Sequence, residues 1–147
     1  MHSLLVSDLH IDAAEPAIGE QFVRFLEGEA RGAEALYVLG LCQEALDRND
    51  AAATTFNALL KETPQYPGAA KALYKLGWVY TALKKPDEAI AAFARLAKEH
   101  GDDPLAAEAL FHVGEAAYEK KDWPAAVDAY YDAREKADDD ALAEKAA

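Results

Sequence analysis

Two residues near the start of the chain have the types and spacing of metal ligands, Asp8 and His10. They close the apolar run Ser3-Leu4-Leu5-Val6-Ser7, which reads as a short strand, and residues two apart in a strand share one face. A carboxylate and an imidazole side by side can hold a divalent ion such as Mn²⁺ or Mg²⁺, and two-metal hydrolytic centres are built from such pairs. A centre needs more than two ligands. The remaining histidines, His2, His100 and His112, stand in no metal-motif context, so Asp8 and His10 are read as vestigial. Cys42 is the single cysteine, with no recognisable nucleophile partner; it reads as a small buried residue, and it leaves no internal disulfide to form. No Gly-rich phosphate loop is present. Asp138-Asp139-Asp140 reads as a solvated helix start that favours the helix dipole. No catalytic residue and no cofactor are expected.

The elements that would position a site follow from composition and periodicity. The chain has 147 residues, about one domain, with 27 acidic against 15 basic residues and a formal net charge of −12. That charge argues against nucleic acid and anionic membrane surfaces, which need clustered Lys and Arg. The longest basic runs are the pairs Lys84-Lys85 and Lys120-Lys121. Alanine accounts for 34 residues, which favours closely packed helices. No stretch approaches the ~18 apolar residues of a transmembrane segment, and no signal-peptide pattern stands at the start. A cytoplasmic location is expected.

A 37-residue internal repeat organises the rest. Gly40, Gly77 and Gly114 keep that interval, as do Ala52, Ala89 and Ala126, and Phe56, Phe93 and Tyr130. Leu36, Leu73 and Leu110, then Tyr37, Tyr74 and Phe111, then Leu39, Leu76 and Val113 share the register. The spacing inside each unit is helical, and a break recurs at Asn49-Asp50, Lys85-Pro86-Asp87 and Asp122-Trp123-Pro124. Each unit is therefore a helix hairpin. The glycine is expected at a close approach of its two helices, facing the alanine of the second helix, with the aromatic residue filling wider space beyond.

The string Leu73, Leu76, Gly77, Tyr80, then Ala89 and Phe93, resembles the tetratricopeptide repeat family. The resemblance covers residues 33–137; Gln43 and Ala117 depart from the family's aromatic position. The family's usual period is about 34 residues. The longer period here, with extra residues around Pro64–Pro67 and Gly101–Pro104, is similar to repeats of bacterial Tol–Pal-associated and outer-membrane assembly proteins. The resemblance implies an all-α right-handed solenoid of three hairpins: 33–48 with 50–62, 69–84 with 86–99, and 104–121 with 123–137. An extra amphipathic helix near 16–30, through Phe22, Phe25 and Leu26, and a short acidic helix at 139–146 complete the expected fold.

The first forty residues resemble a different family. Ser7-Asp8-Leu9-His10, Glu15-Pro16-Ala17-Ile18, Arg24-Phe25-Leu26 and Ala35-Leu36-Tyr37-Val38-Leu39-Gly40 are similar to the start of the UDP-2,3-diacylglucosamine pyrophosphohydrolases, metallophosphoesterases of lipid A synthesis. In that family Asp follows the glycine and bridges two metals; here Leu41 stands there, and the later His-rich motifs are absent. Residues 35–40 satisfy both families, so the chain reads as a chimera. Residues 1–32 form its N-terminal segment and 33–147 its repeat domain.

What remains is a binding surface. The repeat resemblance implies a concave groove lined by the first helices: Glu34, Tyr37, Leu41 and Glu44; Lys71, Tyr74, Lys75, Trp78 and Thr81; Glu108, Phe111, His112, Glu115 and Tyr118. Leu41 and Trp78 replace the asparagines that a carboxylate clamp of this family needs. The expected function is a non-catalytic scaffold that binds a protein or peptide. The competing reading is an inactive remnant of the phosphoesterase.

Overall fold

A computed structural model describes Glu20 and residues 32–146. The described residues form six helices and no strand: α1 (Ala33–Ala45), α2 (Asn49–Glu62), α3 (Ala69–Ala82), α4 (Pro86–Glu99), α5 (Leu105–Glu119) and α6 (Trp123–Ala146). The apolar run at 3–7, the Asp8–His10 pair and the helix expected near 16–30 lie outside the described residues. Glu20 alone of that stretch is described, and its carboxylate meets Arg48 at 3.0 Å. The chain divides into two compact units, residues 1–66 and 67–147. The first holds the α1–α2 hairpin; the second holds the α3–α4 and α5–α6 hairpins.

Each first helix ends in the same turn. Asp47, Lys84 and Lys121, 37 residues apart, all adopt left-handed backbone, with φ of 59°, 59° and 63°. The next residue's N–H then reaches back across the last turn: Arg48 to the Gln43 carbonyl at 2.8 Å, Lys85 to Tyr80 at 2.9 Å, Asp122 to Ala117 at 3.0 Å. This paired closure satisfies carbonyls that the helix end leaves open. It also explains why the first helices stop two or three residues short of the expected ends. Second helices start with Asn49, Pro86 and Trp123. Proline suits the first turn of α4 because no partner is lost there. Asn49 is the first residue of α2 rather than its cap, and neither α2 nor α4 has a side-chain cap.

The nearest neighbours of the repeated glycines are the aromatic series rather than the alanines. A Cβ placed on Gly40 would lie 2.6 Å from the Phe56 ring, on Gly77 2.5 Å from Phe93, and on Gly114 2.7 Å from Tyr130. The expected facing of glycine and alanine is corrected accordingly: the flat ring, not a small residue, occupies the space that the missing Cβ leaves. Ala52, Ala89 and Ala126 are nonetheless buried, at 0–2% exposure. Phe56 and Phe93 are fully buried, while Tyr130 is half-exposed.

The position where Gln43 departs from the aromatic pattern is compensated in hairpin one. Gln43 is buried, and its Oε1 accepts a 2.6 Å hydrogen bond from the buried Thr55 hydroxyl. The register equivalents of Thr55 are Ala92 and Ala129, which have no hydroxyl. A buried amide oxygen without a partner is costly, so the threonine accompanies the glutamine.

The acidic tail does not form a helix of its own. Residues 139–146 continue α6, which runs unbroken from Trp123 to Ala146. Asp138 and Asp140 fall one turn after Arg134 and Lys136, at 3.8 and 3.3 Å. These i, i+4 pairs support the helix through the acids where a break was expected.

Candidate partner-binding groove

Groove residues in hairpin one are largely packing. Tyr37 is half-buried, its ring 6.1 Å from Phe56 and 6.3 Å from Tyr66. Burial, then the neighbouring Tyr66 and Glu44, push its phenol above the usual tyrosine range. Leu41 and Glu44 are half-buried and Glu34 is exposed. Cys42 is 1% exposed, and burial pushes its thiol up to about 11, which keeps it protonated and unreactive at neutral pH.

Hairpins two and three assemble a more elaborate cluster around His112. Its ring lies 4.5 Å from Trp78, 5.2 Å from Phe93, 5.8 Å from Phe111 and 6.2 Å from Tyr74. The register brings this about. Tyr74 and Trp78 lie one turn apart on α3, and His112 lies one turn after Glu108 on α5. The Tyr74 hydroxyl donates to Glu108 Oε1 at 2.7 Å, and burial followed by this bond raises its pKa. His112 Nδ1 sits 2.8 Å from Glu115. Its Nε2 is buried without a hydrogen bond, because Glu108 at 3.6 Å is too distant to accept one.

Beside this cluster a cavity of about 340 Å³ opens between α3, α4 and α5. Trp78, Phe93 and His112 form its aromatic walls, with Glu115 and Glu119 on one rim and Lys84 and Lys85 on the other. Trp78 is 37% exposed, so part of the indole faces solvent. Lys71 is exposed and Lys75 half-buried. Phe111 (46% exposed) packs against Tyr130 at 5.3 Å, away from this cavity's walls. Tyr118 (58% exposed) pairs with Trp123 at 5.0 Å beside the α5–α6 turn. Lys120 reaches back to Asp87 in a close ion pair, which raises the lysine's pKa.

The structure therefore brings Trp78, Thr81, His112 and Glu115 together around the cavity, and leaves Lys71, Tyr74, Lys75, Phe111 and Tyr118 outside its lining. Sequence reasoning missed Phe93 as one of its walls and Lys84, Lys85 and Glu119 as its rim. Glu119 could have been found, since it lies one helical turn after Glu115. Phe93 reads as a core residue in the sequence, and it is both core and cavity wall. Among the described residues no group of three or more His, Cys, Asp or Glu side chains could hold a metal ion. Among them no helix is long and apolar enough to cross a membrane.

Comparison with known proteins agrees with this architecture. The family model described as tetratricopeptide repeat matches residues 7–67, 65–104 and 74–141. Two crystal structures of MamA superpose with TM-scores of 0.70 and 0.72, at 28% and 27% identity. The superpositions cover 84% and 88% of this chain and 69% and 68% of those chains. Short segments match UDP-2,3-diacylglucosamine hydrolases. One, from Xanthomonas oryzae pv. oryzae (strain PXO99A), is 46% identical over 59 residues, 40% of this chain and 24% of the relative. Another, from Escherichia coli O81 (strain ED1a), is 58% identical over 45 residues, 31% of this chain and 19% of the relative. The chain spans a quarter or less of the length of these hydrolases.

Proposed function

The chain belongs to the tetratricopeptide repeat family, and from that premise we propose that it is a protein-interaction scaffold whose groove on hairpins two and three binds a peptide. The observation that carries this reading is the cavity of about 340 Å³ walled by Trp78, Phe93 and His112. A half-open indole beside two further rings offers the desolvated anchor point that binding hot spots use. The ligand is a segment with an apolar anchor flanked by basic residues. The anchor enters between Trp78 and His112, and a neighbouring Arg or Lys meets Glu115 and Glu119. The overall charge of −12 favours the approach of such a segment and makes its on-rate salt-sensitive. Lys71, Lys75 and Tyr118 would extend the surface on hairpins two and three. A cytoplasmic setting belongs to this reading, supported by the single buried thiol.

Calorimetric titration with short peptides tests it. A Phe flanked by arginines should bind more tightly than the same peptide flanked by glutamates, and Trp78→Ala should abolish the difference. Equal affinities for both peptides would reject the proposed chemistry. The hydrolase resemblance supports a second, weaker reading as a metal-dependent phosphoesterase. Pyrophosphate hydrolysis with added manganese decides between them: turnover that Asp8→Ala removes would favour the enzyme.

A further inference from the structure

The repeat register exposes a second surface at the far side of hairpin three. A cavity of about 580 Å³ lies between α5 and α6, over Phe111, Tyr130, Ala133, Arg134 and Ala137. Its walls are almost entirely apolar apart from Arg134 and Glu108 at the rim. The residues one repeat earlier are Tyr74, Phe93, Leu96, Ala97 and His100. There the same space is filled by α5: His112 packs on Phe93 and Tyr74, and Glu108 takes the Tyr74 hydroxyl. Phe93 is consequently buried to 1% whereas its equivalent Tyr130 is half-exposed, and Tyr74 is half-buried whereas its equivalent Phe111 is 46% exposed. The α5 helix thus shows in this molecule what occupies such a socket. It presents a carboxylate and, four residues later on the same face, a flat side chain.

We propose that the socket on hairpin three docks an α-helix of a partner protein, one that presents a carboxylate followed four residues later by a flat apolar side chain. The ring enters over Phe111 and Tyr130, as His112 does over Tyr74 and Phe93. The carboxylate meets Arg134, which replaces the Ala97 of hairpin two and makes only a loose 3.8 Å pair with Asp138. A second copy of this chain does not offer that pattern. Its α1 carries Glu34 and Val38 in register, but Val38 is already buried to 2%. Its α3 carries Lys71 and Lys75, which Arg134 repels, and its α5 is already seated on hairpin two. This surface is separate from the groove of the proposed function, so each can fail alone.

The probe is a fluorescein-labelled alanine-based helix of about 20 residues, long enough to be partly helical in water, with one Glu-Ala-Ala-Ala-Phe unit. Anisotropy titration against the full chain should give micromolar binding that Trp78→Ala leaves unchanged. Ala137→Trp, at an exposed position, should abolish it by filling the socket. Arg134→Glu should weaken it at least fivefold, and a probe with Lys in place of its Glu should recover that loss on the Arg134→Glu protein. Circular dichroism confirms that both variants fold. No binding at millimolar protein, or binding that neither variant changes, would overturn the proposal. So would self-association of the chain in sedimentation velocity that Ala137→Trp removes, because a second copy would then be the occupant.

Discussion

Hairpins two and three are built from the same parts and end in different surroundings. Both place a glycine against an aromatic ring, Gly77 on Phe93 and Gly114 on Tyr130, with nearly equal closeness. Both close the first helix with a left-handed lysine, Lys84 or Lys121. Yet Phe93 is 1% exposed and walled in by α5, whereas Tyr130 is half-exposed and the Phe111 ring beside it is 46% exposed. The same local contact is therefore enclosed in one hairpin and open on one side in the other. The packing that follows a repeat, not the repeat itself, decides how much a contact is worth.

Replacing the glycines gives the largest contrast. Gly77→Val should cost about 3 kcal/mol, because the Phe93 ring has no room to retreat. Gly114→Val should cost about 1 kcal/mol, because Tyr130 can swing toward solvent. Urea denaturation of the two variants beside the parent measures both, and equal losses would break the comparison. Even Gly77→Ala should destabilise, although helix propensity alone favours alanine by ~1 kcal/mol.

Removing the cover itself is the next test. His112→Ala strips the ring that faces Trp78 and Phe93, and should cost roughly 2 kcal/mol while shifting tryptophan emission to the red. Phe111→Ala, with no following helix over it, should cost about 1 kcal/mol or less. The turns should instead respond alike. Lys84→Gly and Lys121→Gly each relieve left-handed strain and should add up to about 1 kcal/mol. A gain in only one hairpin would mean that the turns, too, depend on their surroundings.

Much of this plan is legible in the sequence, since the repeat reports itself through Gly, Ala and aromatic residues in one register. What the register does not reveal is direction. Gly40, Gly77 and Gly114 could face either the alanine or the ring of the second helix, and both series share the interval of the glycines. The continuity of α6 was hidden because Asp138-Asp139-Asp140 is a good helix start in isolation; only the pairs to Arg134 and Lys136 make it an interior. His112 reads as a groove residue because its position points there, but its ring fills the seam between hairpins, which depends on Trp78 and Phe93 from elsewhere in the chain. The proposed groove was half visible: Trp78, His112 and Glu115 came from the first-helix pattern, and Phe93 did not.

The smallest expected effect concerns alkaline pH, in hairpin one. The Cys42 thiol titrates at about 11 in the folded chain, above its unfolded value, so the unfolded state loses its proton first. Stability is then fully present below about pH 8.5 and declines as pH rises toward 11. At pH 9 the loss should stay under about 1 kcal/mol, and Cys42→Ala should flatten that part of the profile. Thermal melts between pH 7 and about 10 measure it.

Cys42 has a further use. It is the single cysteine and lies in the first compact unit, while the two tryptophans, Trp78 and Trp123, lie in the second. The native chain thus carries one chemical clock and one optical gauge, each confined to its own half. The rate at which a thiol reagent labels Cys42 counts openings of hairpin one, because burial shields the sulfur until that hairpin parts. Indole emission records the loosening of hairpins two and three. Run in the same denaturant series without any substitution, the two signals report whether the halves melt as one body or as two, according to whether their midpoints coincide.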